Sequence, residues 1–574
     1  MTRINPVFTG NNECQDCYKC IRFCEVKAIR VQNNRATIIP SRCLACGRCV
    51  TTCPSQAKKI RSDLGRVRSL VASPRRVIVS LAPSWRGSFE FSTWKMVYYL
   101  KTLGFNEVSE TALGAEMVTT KTAEIINASG PKLHISSACP VIVDYIRLYK
   151  PEYIPALIPL ASPALTHAGF LKKIYGDIKV VFIGPCAAKK NESDRNPDLL
   201  AATLTFEELK IWLSEEDPAP ALNSSTAYSF VPESAHEGVL YPLNSGQSET
   251  LRRLPLKPEI QLLNLSSLDL FIRALNKFDP TRLDCPIFIE ALACEGGCVS
   301  GPAMASRRSD FLMAAKIRAK MLNRSEAPNR IDFFIPVTYQ PANLTHTHYS
   351  LDEIQRALNN LGKYNQEDEL NCSGCGYHSC REMAHALLDG NTELVMCTSY
   401  MRRIATRKTA AMFKSMPSAM VMLDRNLHIL EANEAFIRLF VTDNETQTLI
   451  SGPDQLIGEP IQDYLELTNL CKTVLRTGED IHKEHYLIKK HLYDIYIFCS
   501  NRDETIGLLV TDITLALDGR EKIARKAREV ISKNIAIVQE IACLLGEHMV
   551  ETEIILNSIA EDYADKEEEE EKEI

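Results

Sequence analysis

Two stretches near the amino terminus space cysteines as an iron-sulfur cluster needs them. "CQDCYKCIRFC" places Cys14, Cys17, Cys20 and Cys24 at C-x2-C-x2-C-x3-C. "CLACGRCVTTCP" repeats the spacing with Cys43, Cys46, Cys49 and Cys53, followed by Pro54. Three tightly spaced thiolates wrap one 4Fe-4S cubane while the fourth reaches across to another. Cys53 is therefore expected to join Cys14, Cys17 and Cys20, and Cys24 to join Cys43, Cys46 and Cys49. Zinc sites more often use two separated C-x2-C pairs, so the unbroken quartets favour cubanes that lie close enough to form an electron wire. Glu25 stands where a proline usually follows the first run.

Three further motifs, "SSACP", "GPCAAKK" and "EALACEGGCVSG", carry Cys139, Cys186, Cys294 and Cys298. Gly296 and Gly297 let the backbone pass close to a cluster between two of its ligands. Together and in this order the motifs resemble those of the FeFe hydrogenases, over about residues 75 to 345. The resemblance implies that the four cysteines hold an H-cluster, a 4Fe-4S cubane joined to a diiron unit with carbon monoxide, cyanide and a bridging dithiolate amine, with Cys298 as the shared thiolate. Lys189 would anchor the diiron unit by a charge-assisted hydrogen bond to cyanide. Ser84, in "APS", and Ser162, before Pro163, would be pocket contacts.

The departures from that family are as informative as the matches. Its fast members carry a proton-shuttling cysteine immediately before the first cubane ligand; here that position is Ala138, whose methyl has no exchangeable proton. Counting forward from "SSACP" puts the relay serine at Ile158. In "TTKTAEIIN" the relay glutamate is replaced by Lys121 or Thr122, with Glu124 a partial substitute. Leu292 and Gly184 stand where methionines often flank the diiron unit, and the usual Gln-Pro after the third motif is missing from "GPAMASRR".

Farther on, Cys372, Cys375, Cys380 and Cys397 follow C-x2-C-x4-C-x16-C, resembling a small 4Fe-4S domain of anaerobic redox proteins, with zinc as the alternative. Gly374 and Gly376 permit its tight turn, and His378 reads as a loop residue. Residues 410 to 515 resemble a PAS domain, with "VMLDRNLHILEANEAF" as its opening and "GLLVTDIT" as its final strand. His428, His482, His485 and His491 show no placement that demands haem or flavin, so a cofactor-free interaction module is expected. Of twenty cysteines, Cys285, Cys471, Cys499 and Cys543 remain and read as ordinary buried thiols.

The elements that must position these residues follow from pattern. A chain of 574 residues is too long for one domain. The expected architecture is a ferredoxin-like domain with two 4Fe-4S clusters (1–62), a basic, helical connector, an α/β H-cluster domain (75–345), a small α-rich 4Fe-4S domain (350–405), an α+β PAS domain (410–515), a C-terminal helix (516–562) and an acidic tail (563–574). β-branched runs such as "KVVFIG" and "CPIFIEA" alternate with amphipathic stretches such as "FSTWKMVYYLKTLGF", as in an open α/β sheet. In the last helix Ala527, Ile531, Ile535, Val538, Ala542, Leu545 and Met549 form one apolar face for dimerisation or docking. No apolar run reaches the roughly 20 residues of a membrane span and the start lacks the apolar core of a signal peptide, so a cytoplasmic location is expected. The net charge of -6 argues against nucleic acid.

These readings converge on a PAS-containing sensory FeFe hydrogenase with four 4Fe-4S clusters, one of them inside the H-cluster, that binds or slowly oxidises hydrogen. Its implied partners are hydrogen and protons, a ferredoxin or other redox protein, a downstream phosphatase or kinase, and a second copy through the PAS domain and helix. The alternatives are a low-turnover catalytic hydrogenase linked to ferredoxin, and a redox scaffold that lacks the diiron unit.

Overall fold

The computed structural model describes residues 5–10, 14–217, 228–279, 283–305, 309–322, 331–342, 344, 347–441, 452–488, 491–501, 504–514, 527 and 529–538. They fall into two compact units, residues 1–397 and 398–574. Among the described residues, no helix is long and apolar enough to cross a membrane.

The first unit begins with four short strands, β1 (Val7–Thr9), β2 (Ile29–Gln32), β3 (Arg35–Ile38) and β4 (Lys58–Ile60). β1 pairs antiparallel with β4 and β2 with β3. The connector expected to be helical therefore starts as a strand: Lys58 buries its stem and donates to Thr9 Oγ1 and Ala36 O, which ties it to the sheet. Only Leu64–Val71 is helical. Both cysteine runs bend alike, with left-handed backbone at Asp16 and Tyr18 in the first and at Ala45 and Gly47, two and four residues after Cys43, in the second.

The central region holds two parallel sheets. β5 (Val77–Leu81), β6 (Glu107–Glu110), β8 (Lys179–Gly184) and β9 (Ala202–Thr205) lie in the order β6-β5-β8-β9, and β7 (Leu133–Ile135), β10 (Gln261–Ser266) and β11 (Ile287–Leu292) in the order β10-β11-β7. Helices such as Thr93–Thr102, Ala112–Asn127 and Pro163–Tyr175 connect and cover them. Strands buried on both faces read as continuous apolar runs, which is why "VIVSL" and "KVVFIG" are legible as strands. The loops at the strands' carboxyl ends carry the residues singled out above, as open α/β sheets require. Residues 350–397 form two packed helices, Leu351–Asn360 and Cys380–Leu388, with long loops.

The second unit opens with helix Thr398–Ser415. An antiparallel sheet follows: β12 (Ala419–Asp424), β13 (Ile429–Ala432), β14 (Ile481–Ile488), β15 (His491–Asn501) and β16 (Thr505–Asp512), in the order β13-β12-β16-β15-β14. Asn433 locks its opening: its Oδ1 accepts from Met420 N and Phe436 N, and its Nδ2 donates to Ser418 O. Cys471 lies in the apolar core of this unit, whereas Cys285 and Cys499 are only half-buried. The last described helical segment meets the sheet through Asn534, which donates to Ser418 Oγ at 3.1 Å, and through Ile537 and Val538. Of these contacts Val538 belongs to the expected stripe, whereas Asn534 and Ile537 lie beside it on the helix. Ala542, Cys543, Leu545, Met549 and the acidic tail lie outside the described residues.

Candidate functional site

One cavity gathers the three central motifs. It is lined by Cys139, Cys186, Cys294 and Cys298, by Lys189, and by Ala82, Pro83, Ser84, Ala138 and Leu292. Each comes from the carboxyl end of a strand: Ser84 after β5, Ala138 and Cys139 after β7, Cys186 after β8, Cys294 after β11. Cys139 stands at the start of helix Pro140–Tyr149, where Pro140 is pre-set for the first helical turn. The backbone N–H groups of Val141, Ile142 and Ala293 donate to its sulfur, and those of Ala188 and Lys189 donate to Cys186. Helix amino termini favour anionic sulfur.

Burial and mutual repulsion oppose that charge. Burial pushes the Cys186 thiol up to about 11, and it pushes Cys294 and Cys298 well above the usual range, with neighbouring cysteines adding to it. Four half-buried thiols facing one cavity in such surroundings suit cationic iron, which deprotonates thiols and cancels the repulsion. Ser84 Oγ is buried in the wall with no hydrogen-bond partner among the described residues, a polar atom fitted to a polar ligand. Gly297, between Cys294 and Cys298, has φ +103°, and a Cβ there would meet Pro242 O at 2.4 Å. These residues fit an H-cluster.

Lys189 reaches the cavity from helix Ala188–Arg195, its Nζ donating to Ser162 Oγ at 2.9 Å and to Glu192 Oε2 at 2.6 Å. Ser162 also caps helix Pro163–Tyr175, so the hydroxyl that positions the lysine is itself fixed. Gly184 has no space for the methionine seen elsewhere in the resembled family, since a Cβ would meet the Phe182 ring at 2.6 Å.

The relay positions are apolar or elsewhere. Ala138 lines the cavity; Ile158 is buried among Val118, Leu160 and Phe288. Lys121 and Glu124 pair with each other at 2.7 Å on the outer face of their helix and do not line the cavity, which corrects the expectation that Glu124 partly substitutes in a relay. Thr122 is buried without a described hydrogen-bond partner. Besides Lys189 and Ser84, the polar side chains lining the cavity are Thr111, Tyr241, Gln247 and Glu290, which sequence reasoning missed. Glu290, 2% exposed, accepts from the N–H groups of Gln247 and Ser248, and burial raises its carboxyl. Its signal was a lone charge inside an apolar strand run, "IFIEAL".

The amino-terminal cysteines lie close together, with Cys49 in reach of Cys20 as well as of Cys46, Cys24 and Cys43. The thiol neighbours of Cys20 are Cys14, Cys53 and Cys17, whereas Cys24 faces Cys46 and Cys43. Burial works upward on Cys53, yet the Ser55 hydroxyl and the N–H groups of Lys58, Ala57 and Ser55 outweigh it and hold the thiol below its ordinary range. Glu25 pairs with Arg48 at 2.9 Å, a polar clasp where a proline is usual. Cys46 borders both the central cavity and a second one shared by Cys24, Cys43, Cys49 and Cys294. Gly47 is pressed on Pro302, where a Cβ would sit 2.5 Å away.

In the third set, Cys375 has Cys397 and Cys372 as thiol neighbours, and Cys380 begins a helix capped by Ser379. Left-handed backbone at Asn371, Ser373 and Gly376 wraps the loop, a geometry suited to a cluster. Among the described residues no three or more His, Cys, Asp or Glu close on one point as a single metal ion requires. In the second unit His428 stands in a turn, His482 and His485 on the edge strand β14, and His491 at the start of β15.

Comparison with known proteins agrees with this division. Residues 75–302 match the iron only hydrogenase large subunit, C-terminal domain; residues 13–57 a 4Fe-4S dicluster domain; residues 368–399 a putative Fe-S cluster domain; and residues 407–470 a PAS domain. Iron hydrogenase 1 of Clostridium pasteurianum is 26% identical over 396 residues, 56% of this chain and 69% of that protein. The NADP-reducing hydrogenase subunit HndD of Solidesulfovibrio fructosivorans is 24% identical over 392 residues, 54% of this chain and 66% of its own length. The cytosolic Fe-S cluster assembly factor NAR1 of Yarrowia lipolytica is 26% identical over 233 residues, 34% of this chain and 48% of that protein. A solved FeFe-hydrogenase of Chlamydomonas reinhardtii is 20% identical, over 46% of this chain and 89% of that one, with a TM-score of 0.35.

Proposed function

From the chain's being an FeFe-hydrogenase-like iron-sulfur protein with a PAS domain, we propose that it is a hydrogen sensor that uses slow H-cluster chemistry as its input. The carrying observation is Ala138 in the wall of a cavity that otherwise keeps its cysteine quartet and Lys189. In this reading Cys139, Cys186, Cys294 and Cys298 hold the H-cluster, which supplies the site for hydrogen. Lys189 and Ser162 fix one side of the pocket, and Ser84 offers a hydroxyl on another. Ala138 and Ile158 deny protons the direct route outward, so occupancy rather than flux becomes the signal.

Cys14, Cys17, Cys20 and Cys53, then Cys43, Cys46, Cys49 and Cys24, and then Cys372, Cys375, Cys380 and Cys397 each hold a cubane that shares electrons with the central site. The PAS domain and the helix after it turn cluster state into a changed interface for a second copy or a downstream phosphatase or kinase. The test is to expose matured protein to hydrogen anaerobically. Cluster absorption bleaches, while turnover with a viologen acceptor stays far below the roughly 10 s⁻¹ typical of enzymes. Turnover at or above that level supports a ferredoxin-linked catalyst instead, and no bleaching supports a scaffold without the diiron unit, as the likeness to the assembly factor suggests.

A further inference from the structure

The turn carrying Asp389 to Glu393, just beyond helix Cys380–Leu388, is stitched to the amino-terminal hairpin. Val31 N donates to Asn391 O at 2.9 Å, Arg30 Nε to Asn391 Oδ1 at 3.1 Å, and Asn33 N to Glu393 Oε1 at 2.7 Å. Arg42 pairs with Asp389 at 3.0 Å. On the other side of the seam, Arg22 spans from Cys17 O at 3.0 Å to Gly374 O at 3.3 Å. Gly376, at φ +93°, leaves no depth for a side chain: a Cβ would meet Ile21 Cγ2 at 3.0 Å and Arg22 N at 3.2 Å. The loop of Cys372 and Cys375 is thus pressed onto the short helix Lys19–Arg22 that runs toward Cys24.

Two side chains at this seam face both cysteine sets. The Lys27 ammonium, anchored on Ile21 O at 3.2 Å, lies within electrostatic reach of Cys24 and of Cys375. Tyr377 likewise lies near both. Because Cys46 borders the central cavity, the set it shares with Cys24 faces that cavity on one side and the third set on the other.

We propose that this seam is an electron junction in which the centre of Cys43, Cys46, Cys49 and Cys24 exchanges single electrons with the centre of Cys372, Cys375, Cys380 and Cys397 past Lys27. One cubane is oxidised by one electron as the other is reduced by one, and no bond or proton moves. The third centre ends at Cys397, and the next residue begins helix Thr398–Ser415, so the electron arrives at the ligand from which the chain enters the PAS unit.

This inference rests on the proposed cubanes but not on the diiron unit or on hydrogen. It is therefore tested in full-length protein loaded with cubanes alone and reduced by dithionite. Electron paramagnetic resonance is expected to show interaction-broadened, fast-relaxing signals, and Cys375→Ala is expected to sharpen the signal of the neighbouring centre. Signals that are a plain sum of isolated cubanes, unchanged in that variant, overturn the junction. Lys27→Met keeps every ligand and serves if Cys375→Ala does not fold. Loss of the shared positive charge is expected to disfavour reduction of both centres by about tenfold, about 59 mV for one electron. A shift in one centre only, or in neither, overturns the proposal. Failure of the hydrogen-sensing reading leaves these outcomes untouched.

Discussion

Ala138→Cys returns a thiol to the cavity wall, and its effect on turnover follows from what stands behind it. A positioned general acid or base is commonly worth about 10²- to 10⁴-fold, or roughly 2.7–5.4 kcal/mol of barrier. That gain needs a second station. Ile158, at the counted position of the relay hydroxyl, is 1% exposed and packed against apolar side chains. Lys121 and Glu124 are paired outside. Neither counted relay station can therefore take the proton on from the new thiol, and viologen-linked hydrogen uptake is expected to change by no more than about twofold rather than by the usual relay factor. Adding Ile158→Ser supplies the hydroxyl but removes buried apolar contacts and buries a polar group, at a cost of roughly 3–6 kcal/mol, so its urea midpoint has to be measured beside its activity. A rise of about a hundredfold from Ala138→Cys alone would refute the reasoning, because it would require a working relay that does not use the counted positions, where the described residues offer no acceptor facing the cavity. A rise of several-fold would instead support the catalytic reading.

Gly297→Ala forces a Cβ to within 2.4 Å of Pro242 O at a left-handed position, so iron content at the central quartet is expected to fall while the amino-terminal cubanes remain, as read by iron analysis and resonance spectra. Lys190 is fully buried and bridges Glu208 at 2.8 Å and Asp63 at 3.2 Å, tying the connector to the central sheet. Lys190→Met is expected to cost about 2–4 kcal/mol in chemical unfolding, below the top of the range for broken buried pairs because Arg61 still serves Asp63 and Thr205 still serves Glu208. Burial pushes the Glu116 carboxyl up to about 7, against N–H donors from Gly238 and His236. The native state then holds a proton that the unfolded chain releases near 4.5, so stability falls as pH rises from about 4.5 through 7, by up to roughly 3 kcal/mol, and Glu116→Gln is expected to flatten that slope in urea titrations.

The cysteine quartets were legible because thiolate spacing is a local property of the chain, and the strands of the central sheets because they are buried on both faces. The non-local partners were not legible. Nothing in "AKKI" announces that Lys58 will hydrogen-bond Thr9 and Ala36 and extend a sheet. Glu124 was reached by position in "TTKTAEIIN", but which face of its helix turns to the cavity is set by packing on helix Pro163–Tyr175 and on Phe288, which position along the chain does not reveal. Glu290 was passed over because a charge in an apolar run reads as an interruption until the strand's cavity-facing side is known. In the second unit Asn534 broke the apolar stripe, yet it is the buried contact, satisfied by Ser418.

The central claim is that the cavity of Cys139, Cys186, Cys294, Cys298 and Lys189 holds an H-cluster that answers to hydrogen. The most direct measurement is the infrared spectrum of anaerobically purified protein, expressed with and without diiron maturation factors. The account predicts iron-bound carbonyl and cyanide bands only with the factors, shifting when hydrogen is admitted. Absence of those bands in protein with its cubanes complete would contradict it.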